Sequence, residues 1–195
     1  MLRIAIDLND VIRDYSRNFV KYFKKAINHG FNEEEVDFYT NDMKLLLPFD
    51  NDEQYRRFVY EDYPFELYSK CPPVDKNLPR DLNEWIDNDA SCEDVEIFIV
   101  SPMESDLTIQ SSYSFLSKIG SRIREVYFPI DSATIWDRCD VLITANPRFF
   151  YNKKDNKKIV KIKKDYNKEL KSDLEYDSLF SLIKDNNFFE KIFKK

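Results

Sequence analysis

Asp7, Ser101 and Thr144 are polar residues that each close an apolar run: Leu2 to Ile6 before Asp7, Val95 to Val100 before Ser101, and Val141 to Ile143 before Thr144. Open α/β sheets bind ligands outside the carboxyl ends of their strands, so three such ends define one candidate site for polar chemistry. Each residue also has a purely structural reading. Asp7 can cap a following helix, Ser101 before Pro102 can serve a turn, and Asn9 can hold loop backbone.

What is missing narrows the chemistry. His29 is the only histidine and lies beside Gly30 at an expected helix end, which leaves no material for a Ser-His pair or a multi-His metal site. Only 2 glycines are present, so the glycine-rich phosphate cradles of Walker or dinucleotide type are excluded. Cys71, Cys92 and Cys139 are far apart and read as ordinary reduced thiols of an intracellular protein.

The elements that must position these residues follow from the apolar pattern. Leu2–Ile6 predicts a buried strand. Ile12, Tyr15, Phe19, Tyr22, Phe23, Ala26 and Ile27, three and four apart, predict an amphipathic helix running to about Asn28. Residues 31–73 differ in character: 11 acidic against 4 basic residues between 31 and 70 give a net charge of −7, and two helical patterns, Glu33–Leu47 and Asp52–Tyr63, end at Cys71-Pro72-Pro73. They are expected to form a helical insertion, with a main domain of residues 1–30 and 74–195.

After Pro73 the pattern alternates: a helix near Leu78–Asn88, the strand Val95–Val100, a helix over about Leu107–Ile119, then strands near Ile123–Phe128, Val141–Ile143 and Ile159–Ile162. This alternation predicts an α/β fold, a three-layer parallel sheet with helices on both faces. Residues 151–171 carry 9 Lys against 3 acids, a net of +6. The chain as a whole is net −6, so a lysine-guarded sheet edge is expected there rather than a nucleic-acid surface. Phe188, Phe189, Ile192 and Phe193 form an apolar stripe whose docking partner the sequence leaves open, while Trp85, Trp136, Phe149 and Phe150 are assigned to the core. No apolar run approaches the roughly 18 residues of a bilayer-spanning helix, and the first residues do not form a signal peptide.

The segment Ile4-Ala5-Ile6-Asp7-Leu8-Asn9-Asp10-Val11 resembles the first motif of the haloacid dehalogenase superfamily, in particular its 5′(3′)-deoxyribonucleotidase-like branch. Val95–Val100 with Ser101 resembles the second motif, and Asp140-Val-Leu-Ile-Thr-Ala-Asn-Pro147 the fourth. An insertion between the first motif and the second strand is where that family carries its helical cap. The resemblance implies a Rossmann-like core with a small cap. It further implies Asp7 in the place of a nucleophile that forms an aspartyl-phosphate, an acid two positions later as general acid and base, Ser101 and a later Lys or Arg on the phosphoryl oxygens, and fourth-motif acids on Mg²⁺.

Position by position, the chain departs from that pattern. Asn9 replaces the acid, and its amide carries no titratable proton for help worth about 10²–10⁴ in rate. Asp10 is one residue late and directs its side chain elsewhere. Thr144 and Ala145 stand where two acids are expected, which leaves Asp7 as the only side-chain metal ligand, and Asp140 lies at the far end of its strand. No lysine occupies Phe128–Thr134. Lys118, beside Gly120, is the remaining phosphate-ligand candidate and fits a helix C-terminus equally well.

The expectation is a catalytically degenerate protein of this fold, acting as a structural or protein-binding module, with no cofactor. Its oppositely charged segments offer surfaces for self-assembly or for other protein subunits, and not for membrane or nucleic acid. A composition rich in Asn, Lys, Phe and Tyr points to a phage-encoded virion neck or tail component, in host cytoplasm or virion. The alternative is a Mg²⁺-dependent phosphatase or 5′(3′)-deoxyribonucleotidase with Asp7 as nucleophile.

Overall fold

The computed structural model describes residues 1–88, 94–102 and 105–193. Cys92 lies outside them; Cys71 and Cys139 are free, buried thiols, both pushed up to about 12 chiefly by burial. Six strands form one all-parallel sheet: β1 (Leu2–Asp7), β2 (Val95–Val100), β3 (Val126–Tyr127), β4 (Val141–Thr144), β5 (Lys158–Ile162) and β6 (Leu174–Tyr176), in spatial order β3-β2-β1-β4-β5-β6. Strands covered on both faces read as near-continuous apolar runs, and β1, β2 and β4 do so. The strand expected at 123–128 pairs only at Val126–Tyr127.

Period-two alternation divides the strand residues between two cores. Ile4, Ile6, Ile99, Ile143 and Val160 pack beneath α4 (Leu78–Asn88), α5 (Asp106–Lys118), α6 (Leu179–Ile183) and α7 (Phe188–Phe193). Ala5, Phe98, Val100, Leu142 and Ile159 cluster with Ile135 and Trp136 on a 3₁₀ helix at Ser132–Asp137, with Cys139 just after it, and with Phe149 on a second 3₁₀ helix at Pro147–Phe149. The aromatic stripe near the C-terminus docks within the chain, Phe189 stacking on Trp85 with ring centroids 5.5 Å apart and planes 7° from parallel.

Two expectations change. β5 is not an edge: β6 pairs outside it, and several of its neighbouring lysines meet carboxylates of the same chain, Lys153 with Asp173, Lys154 with Asp137, Lys157 with Asp140, Lys161 with Glu175 and Lys163 with Asp177. The +6 segment is therefore in large part internally neutralised.

The second change concerns the helical unit. α1 (Tyr15–Ala26) packs in a separate cluster, Tyr15, Phe19, Val20 and Phe23 against Met43, Leu47, Phe58, Val59, Leu67 and Tyr68, so it belongs by packing with residues 31–69 rather than with the sheet. The helix expected over 33–47 is broken into a 3₁₀ turn at Glu33–Glu35 and α2 (Met43–Leu46), because the Asn32 and Asp42 side chains accept from the amides of Glu34 and Lys44 and start new turns. α3 (Asp52–Arg57) then runs into two wide π-helical turns, Phe58–Asp62 and Phe65–Ser69.

Candidate functional site

β1 and β4 are neighbours at the point where strand order reverses, the position at which open α/β sheets form a crevice. Register does the rest. Asp7 pairs with Val100, so Ser101 follows directly beside it, and Ile6 pairs with Ile143, so Thr144 reaches Asp7 from the other side. The three strand-end residues predicted to lie together are together.

Asp7 is fully buried. Thr144 donates its hydroxyl to Asp7 Oδ2 at 2.6 Å, while Oδ1 has no hydrogen-bond partner. Burial pushes the carboxyl up to about 7; the Thr144 hydroxyl, the Asn9 amide N–H and the Arg13 guanidinium oppose that rise, and the nearby Asp10 charge adds to it. At neutral pH such a carboxyl is about half protonated, so only part of the population presents a carboxylate.

The following loop is wound tightly. The amides of Ile12 and Arg13 both donate to the Leu8 carbonyl, and Asp10 N–H donates to the Arg13 carbonyl at 2.8 Å. Val11 and Ile12 bury against the sheet in this turn, so the helix expected from Ile12 begins at Tyr15. Arg13 is fully buried. Its Nε donates to Asn9 Oδ1 at 2.6 Å, and its Nη1 to Ser112 Oγ at 3.0 Å and the Tyr68 carbonyl at 3.2 Å. The Tyr68 ring lies 4.9 Å from the guanidinium carbon. The position-9 amide thus faces Arg13, and its oxygen is committed.

Asp10 has φ +59°, a left-handed backbone that Asp tolerates better than most residues. Its carboxylate accepts from the Ser16 amide at 2.8 Å, from the Ser16 hydroxyl, and from the Tyr166 hydroxyl at 3.0 Å. It therefore does not stand in for the missing acid at position 9.

Ala145 is buried, and its carbonyl accepts from Asn167 Nδ2 at 2.8 Å. Asn146 Oδ1 accepts from Asn41 Nδ2 at 3.1 Å, a bond from the helical unit onto the strand ends. The cleft under it, bordered by Asn9, Tyr15, Asn41, Tyr55 and Asn146, holds about 80 Å³, far below the roughly 300 Å³ at which small-molecule pockets begin.

Lys118 is not part of this constellation. It is the exposed last residue of α5, whose 13 residues carry the chain away from the strand ends by roughly 20 Å. Asp140 lies at the opposite end of β4, bonded to Arg3 N–H and Lys157. Sequence reasoning missed Arg13, Ser16, Asn41 and Tyr166. Asn9–Arg13 and Asp10–Ser16 are local pairs, four and six residues apart, whereas Asn41–Asn146 and Asp10–Tyr166 join residues 105 and 156 apart in the chain.

Among the described residues no group of three or more His, Cys, Asp or Glu side chains is placed to hold a metal ion. Thr144 and Ala145 supply no carboxylate, Asp7 is fully buried with Oδ2 engaged by Thr144, and Asp10 is occupied by donors. The described residues do not fit a hexacoordinate Mg²⁺ site built on carboxylates. No helix of the described residues is long and apolar enough to cross a membrane.

Comparison with known proteins gives a fold. No family model and no curated protein matches the sequence. A solved structure described as a haloacid dehalogenase-like hydrolase of Burkholderia xenovorans superposes with TM-score 0.56 at 12% identity, covering 99% of both chains. A dehalogenase solved with an intermediate complex superposes with TM-score 0.55 at 13% identity, over 93% of this chain and 95% of that one. At these identities the likeness shows a haloacid dehalogenase-like α/β fold.

Proposed function

We propose that this chain is a binding module on a haloacid dehalogenase-like fold from which aspartyl phosphotransfer has been lost. The observation that carries the reading is the state of position 9: an amide whose oxygen accepts from buried Arg13 at 2.6 Å, beside a fully buried Asp7 held by Thr144. Among the described residues, no acid other than Asp7 stands at the strand ends to protonate a leaving oxygen, no second carboxylate joins Asp7 on a cation, and the cleft holds only about 80 Å³. The framework is needed for what it displays, and fold does not fix function.

The second reading is a Mg²⁺-dependent phosphatase or nucleotidase with Asp7 as nucleophile. The hydrolase-like fold and the retained strand-end carboxyl favour it. Turnover of p-nitrophenyl phosphate and of deoxynucleoside monophosphates with added Mg²⁺, for the parent and Asp7→Asn, separates the two. Equal background rates are expected; turnover lost on substitution establishes the phosphatase.

A further inference from the structure

A second cavity lies apart from Asp7. It holds about 430 Å³, within the roughly 300–1,000 Å³ range of ligand sites, and opens between β5, the segment that follows it, and the start of α1. Asp7 does not line it, whereas Asp10, Ser16 and Tyr166 do, so the Asp10 carboxylate is held on this side of the loop.

The sign of the ligand follows from which charges on the wall are already answered. Asp10 accepts from Ser16 and Tyr166. Glu175 accepts from Lys161 Nζ at 2.8 Å and from the Ser172 hydroxyl at 3.2 Å. Lys161 is almost fully buried in the floor and also donates to the Leu170 carbonyl at 2.6 Å, and Lys163 pairs with Asp177 outside the cavity. Burial raises the Asp14 carboxyl above its ordinary value, a rise that Arg17, at 4.0 Å, and the more distant Lys164 oppose. Beyond that through-space attraction between Lys164 and Asp14, Lys164 and Lys168 form no ion pair or side-chain hydrogen bond with any other described residue. Asp165 is the one wall carboxylate in the same condition.

We infer that this cavity is a binding site for a small polyvalent organic anion, taken up by Lys164 and Lys168 with Arg17 at the rim, its less polar body lying against Tyr166 and Phe38. Two flexible ammonium groups suit separated anionic oxygens, and Lys161 below them, fixed by Glu175 and Leu170, gives a rigid base. Phe38 belongs to the helical unit and Tyr166 to the core, so a ligand here touches both. The inference does not depend on whether Asp7 is reactive.

Calorimetric titration of the full chain with citrate and with inorganic pyrophosphate tests it, with spermidine as the oppositely charged probe. Saturable binding of at least one anion and none of spermidine is expected. Lys164→Glu/Lys168→Glu should weaken it by about tenfold or more. Lys118→Glu, a charge reversal on an exposed site at the far end of α5, should leave it unchanged. Melting curves of both variants verify folding, and Lys164→Gln/Lys168→Gln replaces the reversal should that variant melt early. Absence of heat with both anions, equal weakening by Lys118→Glu, or preference for spermidine overturns the inference.

Discussion

Asp7 carries the sharpest residue-level consequence. Its carboxyl rises from 3.8 to about 7 through burial, so the folded chain keeps a proton that the unfolded chain releases. The stabilising contribution is complete below 3.8 and is lost as pH rises to about 7, on the order of a few kcal/mol for a shift of this size. Asp7→Asn removes the titration. Urea unfolding across that range should show a parent stability falling with pH and a flatter dependence in the variant; equal slopes would place the carboxylate in a wetter setting than the structure gives it. Asn9 supplies the companion prediction. Asn9→Asp puts a carboxylate 2.6 Å from Arg13 Nε, and a charge-assisted bond to a buried guanidinium replaces a neutral one. The variant should be more stable, by roughly 1 kcal/mol, and still give no phosphatase turnover, since the new acid faces Arg13. Turnover appearing in this single variant would show that the site is poised rather than dismantled.

At the scale of elements, the strands β1, β2 and β4 were legible because burial on both faces leaves short, β-branched-rich apolar runs closed by polar residues. α4 and α5 were legible by their periodicity. β6 was not: Leu174-Glu175-Tyr176 is three residues long, and it becomes a strand only by pairing with β5. The segment 31–47 carried a helical pattern that Asn32 and Asp42 override locally, a competition between side-chain and backbone acceptors that periodicity does not register. The same logic explains the site. Asp7, Ser101 and Thr144 were readable as strand ends, whereas Asn41, Tyr166 and the direction of Arg13 depend on contacts made only after folding. Docking of α7 is testable at this scale. Phe188 is buried between Trp85 and Tyr176, with ring centroids 5.9 and 6.3 Å away. Phe188→Ala should cost about 3–5 kcal/mol, measured by denaturant unfolding, and shift Trp fluorescence to the red as Trp85 gains water. A cost below about 1 kcal/mol would mean α7 is not seated on α4.

For the whole molecule, the division of hydrophobic clusters predicts how the chain opens. The sheet carries a hydrophobic core on each face and is tied by backbone pairing along its strands, while the helical unit depends on one aromatic cluster around Phe19, Phe23 and Phe58 and, beyond α1, on short helices joined by π-helical turns. Short helices hold few internal hydrogen bonds and draw their stability from packing, so this unit has the smaller reserve. It is tied to the sheet by the fully buried Arg13, which bonds Asn9 on the loop, the Tyr68 carbonyl in the unit and Ser112 on α5. Native-state hydrogen exchange should therefore show amides of residues 15–69 opening at lower free energy than those of β1, β2 and β4. Arg13→Met keeps length and burial but removes every one of those donors, leaving the Tyr68 carbonyl and Asn9 unanswered. It should cost about 1–3 kcal/mol and lower protection in the helical unit more than in the central strands. Uniform loss across both regions would mean that the chain opens as one cooperative body, with Arg13 acting as an ordinary core residue rather than as the pin between two units.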